Sequence, residues 1–202
     1  MRVGIIGSGT LVDGLAHRWR AAGHSVRTVS GPGDEASSGN DTATTAAEEA
    51  ARQADAVVLA LPLHMALSLP HQPFIGRIVA DATGYFDTAD GAFPDIDAGR
   101  TTSGELLADH LPGAAVVQIF NVADLLTVGE PSGDTVARPR IPISSDETSA
   151  AVTVAELLTD LGLDAVPIGR LSDGRRPRTE GGPLLTTPKI NPDDARIRIV
   201  DA

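Results

Sequence analysis

The feature that most constrains this chain is a strand, a glycine turn and a helix that follow one another within its first 22 residues. Met1–Ile6 is largely apolar and rich in β-branched residues, which is typical of a strand buried on both faces of a parallel sheet. Gly7-Ser8-Gly9 follows directly, and in Thr10–Ala22 the apolar residues recur at helical spacing. With a second strand at Ser25–Ser30, the pattern predicts a βαβ unit whose first turn binds phosphate.

The two glycines of this turn have separate physical roles. Gly7 permits the tight turn out of the strand, and Gly9, which has no side chain, lets the backbone approach two phosphates. Backbone N–H groups at the start of the helix, together with the helix dipole, favour negative charge there. The alternative interpretation is an ordinary strand-to-helix turn of an α/β protein, without a nucleotide.

Two residues depart from the usual dinucleotide-binding pattern. The third glycine of that pattern falls at Val12, where glycine normally lets the helix pack closely on the strand. Asp13 places a carboxylate in the first helical turn, where it can form a capping box with Thr10 and repel a phosphate. Weakened cofactor binding is the consequence that these departures predict.

Composition limits the classes of partner. The chain of 202 residues has 16 basic and 27 acidic side chains, and the net charge of −11 argues against nucleic acid and anionic membranes as partners. It has no cysteine, which excludes disulfides and cysteine nucleophiles, and its histidines lack metal-ligand spacing, so no metal site is expected. No leader or membrane-spanning run is evident, which predicts a soluble cytoplasmic protein.

Strands and helices alternate along the rest of the chain. This predicts an α/β fold, namely a Rossmann-type, doubly wound, mostly parallel sheet with helices on both faces. One domain is expected over residues 1–170, followed by a tail over residues 171–202. The further predicted elements are strands at Thr42–Thr45, Ala56–Leu61, Arg77–Asp81, Ala114–Ile119, Arg140–Ile143 and Asp164–Ile168, and helices at Ala46–Gln53, from Thr102 to about Pro112, and at Thr148–Asp160.

The end of the second predicted strand bears on the choice of dinucleotide. Enzymes selective for NAD usually end this strand in Asp or Glu, which holds the ribose hydroxyls, whereas here it ends in Ser30. Ser30 and the nearby Arg27 would tolerate a 2′-phosphate, although Asp34 and Glu35 lie close enough to oppose it. The sequence therefore favours NADP over NAD.

Candidate side chains follow three later strands of the predicted sheet, Ala56–Leu61, Arg77–Asp81 and Ala114–Ile119. His64, Thr83 and Asn121 each come just after a strand, and open α/β sheets bind their ligands at the carboxyl ends of strands. His64 is either a partly exposed loop histidine or a catalytic residue beside the nicotinamide. The loop from Asp87 to Arg100 is long and acidic, and its length suggests a cover for a ligand.

Several short segments have an order and spacing that resemble a known family. They are Met1-Arg2-Val3 into Gly7-Ser8-Gly9, Ala22-Gly23-His24, Ala54–Pro62, Asp81-Ala82-Thr83, Glu105-Leu106-Leu107, Leu111-Pro112-Gly113, Ala115-Val116-Val117, Phe120-Asn121, Asp146, Leu161-Gly162 and Gly181-Gly182-Pro183. As an ensemble they resemble the NADP-linked oxidoreductases that use the deazaflavin coenzyme F-420, over roughly residues 1–185.

This resemblance implies a Rossmann-type domain that moves hydride between NADP and the deazaflavin. Carried over by position, it implies that the pyrophosphate is held by Gly7, Ser8, Gly9, Thr10 and Leu11, and that Ser30 faces the adenosine 2′-phosphate. It also implies that the nicotinamide is lined by Leu61, Pro62 and His64, and that the second ring lies near Thr83, Phe120 and Asn121.

The chain departs from that family at specific positions. It has Val12, Gly31-Pro32 after Ser30, and Gly84 where members commonly have Gly, an Arg and Asn. Fuller members also continue into C-terminal helices that help to shape the deazaflavin site, whereas this chain has only its tail. The resemblance is therefore closer for the NADP half of the site than for the F-420 half.

Three classes of function remain open from the sequence. The first is an NADPH-dependent oxidoreductase that transfers hydride between NADP(H) and F-420 or another small-molecule acceptor, because such a cofactor carries the chemistry itself. The second is a relative of the fold with a weakened cofactor site, acting as a non-redox enzyme or ligand-binding protein in a small-molecule pathway. The third is a structural role. The sequence does not determine the oligomeric state, and a homodimer is one assembly that it allows.

Overall fold

A computed structural model gives the fold and describes residues 1–32, 40–83, 90–120 and 138–175. Its strands are β1 (Arg2–Gly7), β2 (Ser25–Val29), β3 (Ala56–Ala60), β4 (Ile78–Asp81), β5 (Ala115–Ile119), β6 (Arg140–Ser145) and β7 (Asp164–Gly169). They form one sheet in the order β2-β1-β3-β4-β5-β6-β7. Strands β1 to β5 are parallel, β6 is antiparallel to β5, and β7 is parallel to β6. The predicted Rossmann-type, mostly parallel sheet is confirmed.

Helices cover both faces of this sheet. They are α1 (Thr10–Ala21), α2 (Asn40–Gln53), α3 (Leu63–Ala66), α4 (Pro94–Asp97), α5 (Ser103–His110) and α6 (Thr148–Asp160), with 3₁₀ helices at Gln72–Phe74 and Leu171–Arg175. The buried side chains of α1 and α6 form one core cluster with the sheet, and those of α2 and α5 form another. None of the helices among the described residues is long and apolar enough to cross a bilayer.

The stretch Thr42–Thr45, expected to be a short strand, lies inside α2 instead. Its β-branched threonines favour a strand locally, but buried alanines recur through this segment at helical spacing and decide the outcome; they are Ala43, Ala47, Ala50 and Ala51. These small side chains bring α2 very close to β1. A Cβ on Gly4 would lie 3.1 Å from the carbonyl oxygen of Ala50, so glycine at residue 4 lets the helix approach the strand this closely.

The hydrophobic core of the domain includes a residue beyond residue 170. Leu171 is 2% exposed and belongs to the core cluster of α2 and α5. The hydroxyl of Thr102 donates to the Leu171 carbonyl oxygen at 3.1 Å, while it also caps α5 in a capping box with Glu105. The remainder of the expected tail, from residue 176, lies outside the described residues.

Candidate dinucleotide site

The sheet has a topological switch point between β1 and β3. The chain leaves β1 through α1 on one face of the sheet, whereas it enters β3 from α2 on the other face. Helices that diverge in this way leave a crevice at the carboxyl ends of the two strands, and doubly wound proteins bind ligands there. Gly7 and Ala60 are direct neighbours in the register of the two strands, and both lie at this crevice.

The two turn glycines differ in their surroundings. Gly7 has a φ of 147°, and a Cβ at this position would overlap the carbonyl oxygen of Ala60 in the neighbouring strand. Gly9 has a φ of 87° and a ψ of −175°, a conformation confined to glycine, and a Cβ there would have no atom within 4 Å. Gly7 is therefore required by the sheet, while the space in front of Gly9 is open to a ligand.

The start of α1 is suited to an anion. Gly9 is its N-cap residue and forms no side-chain cap, and Asp13 N–H donates to the Gly9 carbonyl oxygen at 3.1 Å. Helix geometry leaves the N–H groups of Thr10, Leu11 and Val12 without intrahelical acceptors, and the helix dipole adds partial positive charge. These groups fit a pyrophosphate.

The capping box expected between Thr10 and Asp13 does not form. Thr10 is already the first helical residue, so it stands one position too late to act as the N-cap. Asp13 is exposed on the outer side of the helix. Asp13 therefore still places a negative charge in the first turn of α1, but its side chain does not form the expected capping box.

Val12 stands where the dinucleotide-binding pattern has its third glycine, and it is a core residue. Its side chain is 3% exposed and packs in the cluster that joins α1 to the sheet. Ser8, Gly9 and Thr10 are exposed and Leu11 is half-buried. The exposed turn and the buried valine thus belong to opposite sides of the first helical turn, so the valine does not occupy the space in front of Gly9.

Arg27 does not assist Ser30, contrary to the expectation from the sequence. Its guanidinium donates to Glu49 Oε2 at 3.1 Å and to Gln53 Oε1 at 3.0 Å, both near the C-terminus of α2. This bond holds the pKa of Glu49 below its usual value. α2 ends just before β3 begins, at the amino edge of the sheet. Ser30 follows β2 at the opposite edge of the sheet, about 10 Å from Arg27 along the strand direction.

The ends of β2, β3 and β4 are closely packed. A Cβ on Gly31 would lie 3.1 Å from Leu61 Cδ1, and Leu61 is 7% exposed, so these two residues pack together just after β2 and β3. Pro62 is half-buried. Thr83 is 8% exposed, and its hydroxyl donates to Asp81 Oδ1 at 2.6 Å while its N–H donates to the same oxygen at 2.9 Å. Thr83 therefore shapes the end of β4.

Phe120 and Asn121 are the two remaining residues of the predicted site. Phe120 is 7% exposed, and its ring packs against the 3₁₀ helix Leu171–Arg175, since a Cβ on Gly174 would lie 3.2 Å from Phe120 Cζ. The Phe120 ring is therefore part of the core, next to this 3₁₀ helix. Asn121 lies outside the described residues, as do Asp34, Glu35 and Gly84.

His64 has a partner that the sequence reasoning missed. Its Nδ1 lies 2.9 Å from Asp90 Oδ1, and its backbone N–H donates to the same oxygen at 3.1 Å. The Asp90 side chain is fully buried, whereas the His64 side chain is 41% exposed. The acidic character of the Asp87–Arg100 loop was the available signal, but it did not indicate which carboxylate returns to the histidine.

The amino-terminal part of the chain is similar to a known family. Residues 2–83 match the family described as NADP oxidoreductase, coenzyme F420-dependent. This segment runs from β1 to the end of β4 and contains the glycine turn, the switch point and His64. The resemblance indicated by the sequence motifs is thereby confirmed for residues 2–83. No curated protein matches the chain significantly.

Solved structures share the fold over most of the chain. The hypothetical protein SMa0349 from Sinorhizobium meliloti is 27% identical, with a TM-score of 0.72 over 95% of this chain and 96% of its own. A candidate F420-dependent NADP reductase from Arthrobacter sp. FB24 is 19% identical, with a TM-score of 0.66 and 87% of each chain covered. Plasmodium falciparum pyrroline carboxylate reductase with NADP bound is 17% identical, with a TM-score of 0.53 over 83% of this chain and 57% of that one.

Proposed function

We propose that this protein is an NADPH-dependent oxidoreductase that transfers hydride between NADP(H) and coenzyme F-420 or another small-molecule acceptor. The pyrophosphate is held by the turn Gly7-Ser8-Gly9 and by the first N–H groups of α1, at Thr10 and Leu11. Ser30 faces the adenosine ribose, and Leu61, Pro62 and His64 border the nicotinamide. Bound NADPH supplies the hydride, and the protein positions the rings and excludes water.

The observation that carries this proposal is the open space in front of Gly9 at the switch point. The glycine-only backbone conformation of Gly9, with no atom within 4 Å of a Cβ position, leaves the start of α1 accessible. Gly23 also has a positive φ and open space, and what sets Gly9 apart is its place at the N-terminus of α1, beside the switch point of the sheet. The match of residues 2–83 to an NADP-linked family supports the same interpretation.

Selection of NADP over NAD rests on Ser30, since Arg27 is held by Glu49 and Gln53. A carboxylate at this position would bond the ribose hydroxyls of NAD and repel a 2′-phosphate. We therefore expect NADPH to bind more tightly than NADH, and we expect Ser30→Asp to weaken NADPH binding at least tenfold while NADH binding is unchanged or tighter. Fluorescence titration of the reduced nicotinamide measures all four dissociation constants.

Transfer of label tests the reaction itself. With NADPH that carries deuterium at the transferring position, the wild-type protein should deliver the label to F-420 or to one of a panel of carbonyl and imine acceptors. Tight binding of NADPH without transfer to any of them would refute the redox function.

Asp13, whose exposed carboxylate lies in the first turn of α1, favours the alternative of a ligand-binding or non-redox relative. Absence of NADPH binding would support that alternative.

A further inference from the structure

We propose that His64 and Asp90 form a proton-donating pair, in which His64 protonates the acceptor as it receives hydride and Asp90 positions the imidazole. This inference rests on the proposed function and extends it to the class of acceptor. It is carried by the contacts of the two side chains and by their place beside the switch point.

Asp90 fixes the orientation of His64 through one carboxylate oxygen. Oδ1 accepts from the His64 backbone N–H at 3.1 Å and lies 2.9 Å from Nδ1 of the same residue. The Nδ1 contact is a hydrogen bond when Nδ1 carries its proton, so the carboxylate selects that tautomer. Nδ1 then points to the protein interior and Nε2 is the nitrogen directed outwards.

Burial separates this pair from an ordinary surface ion pair. The Asp90 side chain has no exposed surface, whereas the ring that it contacts is 41% exposed. A buried carboxylate is costly unless it is well hydrogen-bonded, and a half-exposed ring held by such a carboxylate is well ordered. The arrangement of a buried carboxylate, an imidazole and an outward nitrogen is the one that enzymes use to orient a histidine for proton transfer.

The position of His64 in the fold places its imidazole beside the crevice where an acceptor would bind. Ala60 is the register neighbour of Gly7, and His64 follows it by four residues, on the first turn of α3. Leu63 and Ala66 on the buried side of α3 are fully covered, so the short helix is anchored to the core with His64 on its open side. The imidazole therefore stands at the carboxyl end of β3, beside the crevice in which the turn glycines lie.

The chemistry of this pair defines the class of acceptor. Reduction of a C=N or C=O group breaks its π bond, forms a C–H bond with the hydride, and leaves an electron pair on nitrogen or oxygen. His64, protonated at Nε2, gives that proton to the heteroatom and becomes neutral; water then restores the proton. Asp90 stabilises the positive charge of the ring before the transfer. The expected acceptors are imines, ketones or a deazaflavin, which gains a proton on a ring nitrogen.

The resting state of the pair can be tested without a cofactor. In the protein alone, ¹⁵N NMR of the imidazole should show His64 with its proton on Nδ1, and Asp90→Ala, which removes the acceptor oxygen, should abolish this preference while the rest of the spectrum keeps its dispersion. An unchanged tautomer in Asp90→Ala would refute the positioning role of Asp90, whatever the activity of the protein.

The chemical role is tested by single-turnover hydride transfer from NADPH to F-420 and to a cyclic imine. We expect His64→Ala to slow transfer by 10²–10⁴-fold, the usual contribution of an acid–base residue, with the dissociation constant of NADPH changed less than threefold. Exogenous imidazole should restore part of the rate. Asp90→Asn should slow transfer about tenfold, because it removes the negative charge that stabilises the protonated ring. His71→Ala is the control, since His71 is also exposed and lies seven residues further along.

The outcomes separate this inference from the proposed function. An active wild type with an equally active His64→Ala, or a loss of rate that imidazole does not restore, would refute the proton-donor role and leave the oxidoreductase intact. A wild type that binds no NADPH or reduces no acceptor would refute both. Loss of rate in His64→Ala with rescue by imidazole, and no effect in His71→Ala, supports the pair.

Discussion

Replacing Gly9 by alanine separates the cofactor role of the turn from its structural role. The backbone at Gly9, with φ 87° and ψ −175°, lies in a region that other residues adopt only under strain of roughly 1–3 kcal/mol. No atom lies within 4 Å of the added methyl group, so no steric term adds to this strain. In a protein of this size the strain corresponds to a lower melting temperature by roughly 2–12 °C, and the variant should still fold.

The same methyl group is expected to weaken NADPH binding as well as to lower stability. The group would stand between the phosphates and the N–H groups at the start of α1. Loss of one hydrogen bond to a charged group costs about 1.5–3 kcal/mol, which is roughly 10- to 150-fold in the dissociation constant. Fluorescence titration of NADPH and a thermal melt of the protein alone give the two quantities.

Gly23→Ala is the matched control at the other end of the same helix. Gly23 has a φ of 90°, and a Cβ there likewise meets no atom within 4 Å, but it lies at the C-terminus of α1. It should lose stability of roughly 1–2 kcal/mol and bind NADPH as the wild type does. If Gly9→Ala binds NADPH as tightly as Gly23→Ala does, the turn is only structural and the assignment of the pyrophosphate site is refuted.

Two predictions concern stability. Asp55 accepts from the Arg2 side chain and backbone N–H, which lowers its pKa from 3.8 to about 2, so its contribution is present above pH 3.8 and is lost as the pH falls towards 2. Asp55→Asn should therefore lower the free energy of unfolding at neutral pH by on the order of 1 kcal/mol, after allowance for solvent screening, and the difference from wild type should shrink as the pH falls through about 2 and vanish below it; a constant difference would contradict this. Val12→Ala should cost about 2 kcal/mol in urea unfolding because Val12 is 3% exposed in the core, and a neutral result would mean that this side chain does not pack as described.

The sequence predicts the fold well because its signals are local. Buried parallel strands are short apolar runs bounded by turn residues, and β1, β3, β4 and β5 were each recognisable in this way. α2 shows the limit of the same reasoning. The threonines at its start favour a strand by propensity, and the alanine face that packs on Gly4 overrides them only once the sheet is present.

The site is predictable where it consists of backbone and much less so where side chains meet across the fold. The roles of Gly7 and Gly9 follow from their order after a strand. The partners of Arg27 and His64 lie 22 to 26 residues away in sequence, and no spacing rule connects them. The Asp81–Thr83 contact spans two residues and was open to prediction as a local turn at the end of a strand, but Thr83 was assigned only as a ligand contact.

The hydrogen bond of the Trp19 indole has a consequence for folding during synthesis on the ribosome. Its Nε1–H donates to the carbonyl oxygen of Leu157 at 2.8 Å, a bond that is buried and spans 138 residues. At ordinary rates of translation the ribosome needs roughly 7–28 s to add that much chain. During this interval the face of α1 that bears Leu15 and Trp19 has no α6 to cover it. The first βαβ unit to be synthesised is thus among the last to be completed, and this face is where a nascent chain would meet a chaperone.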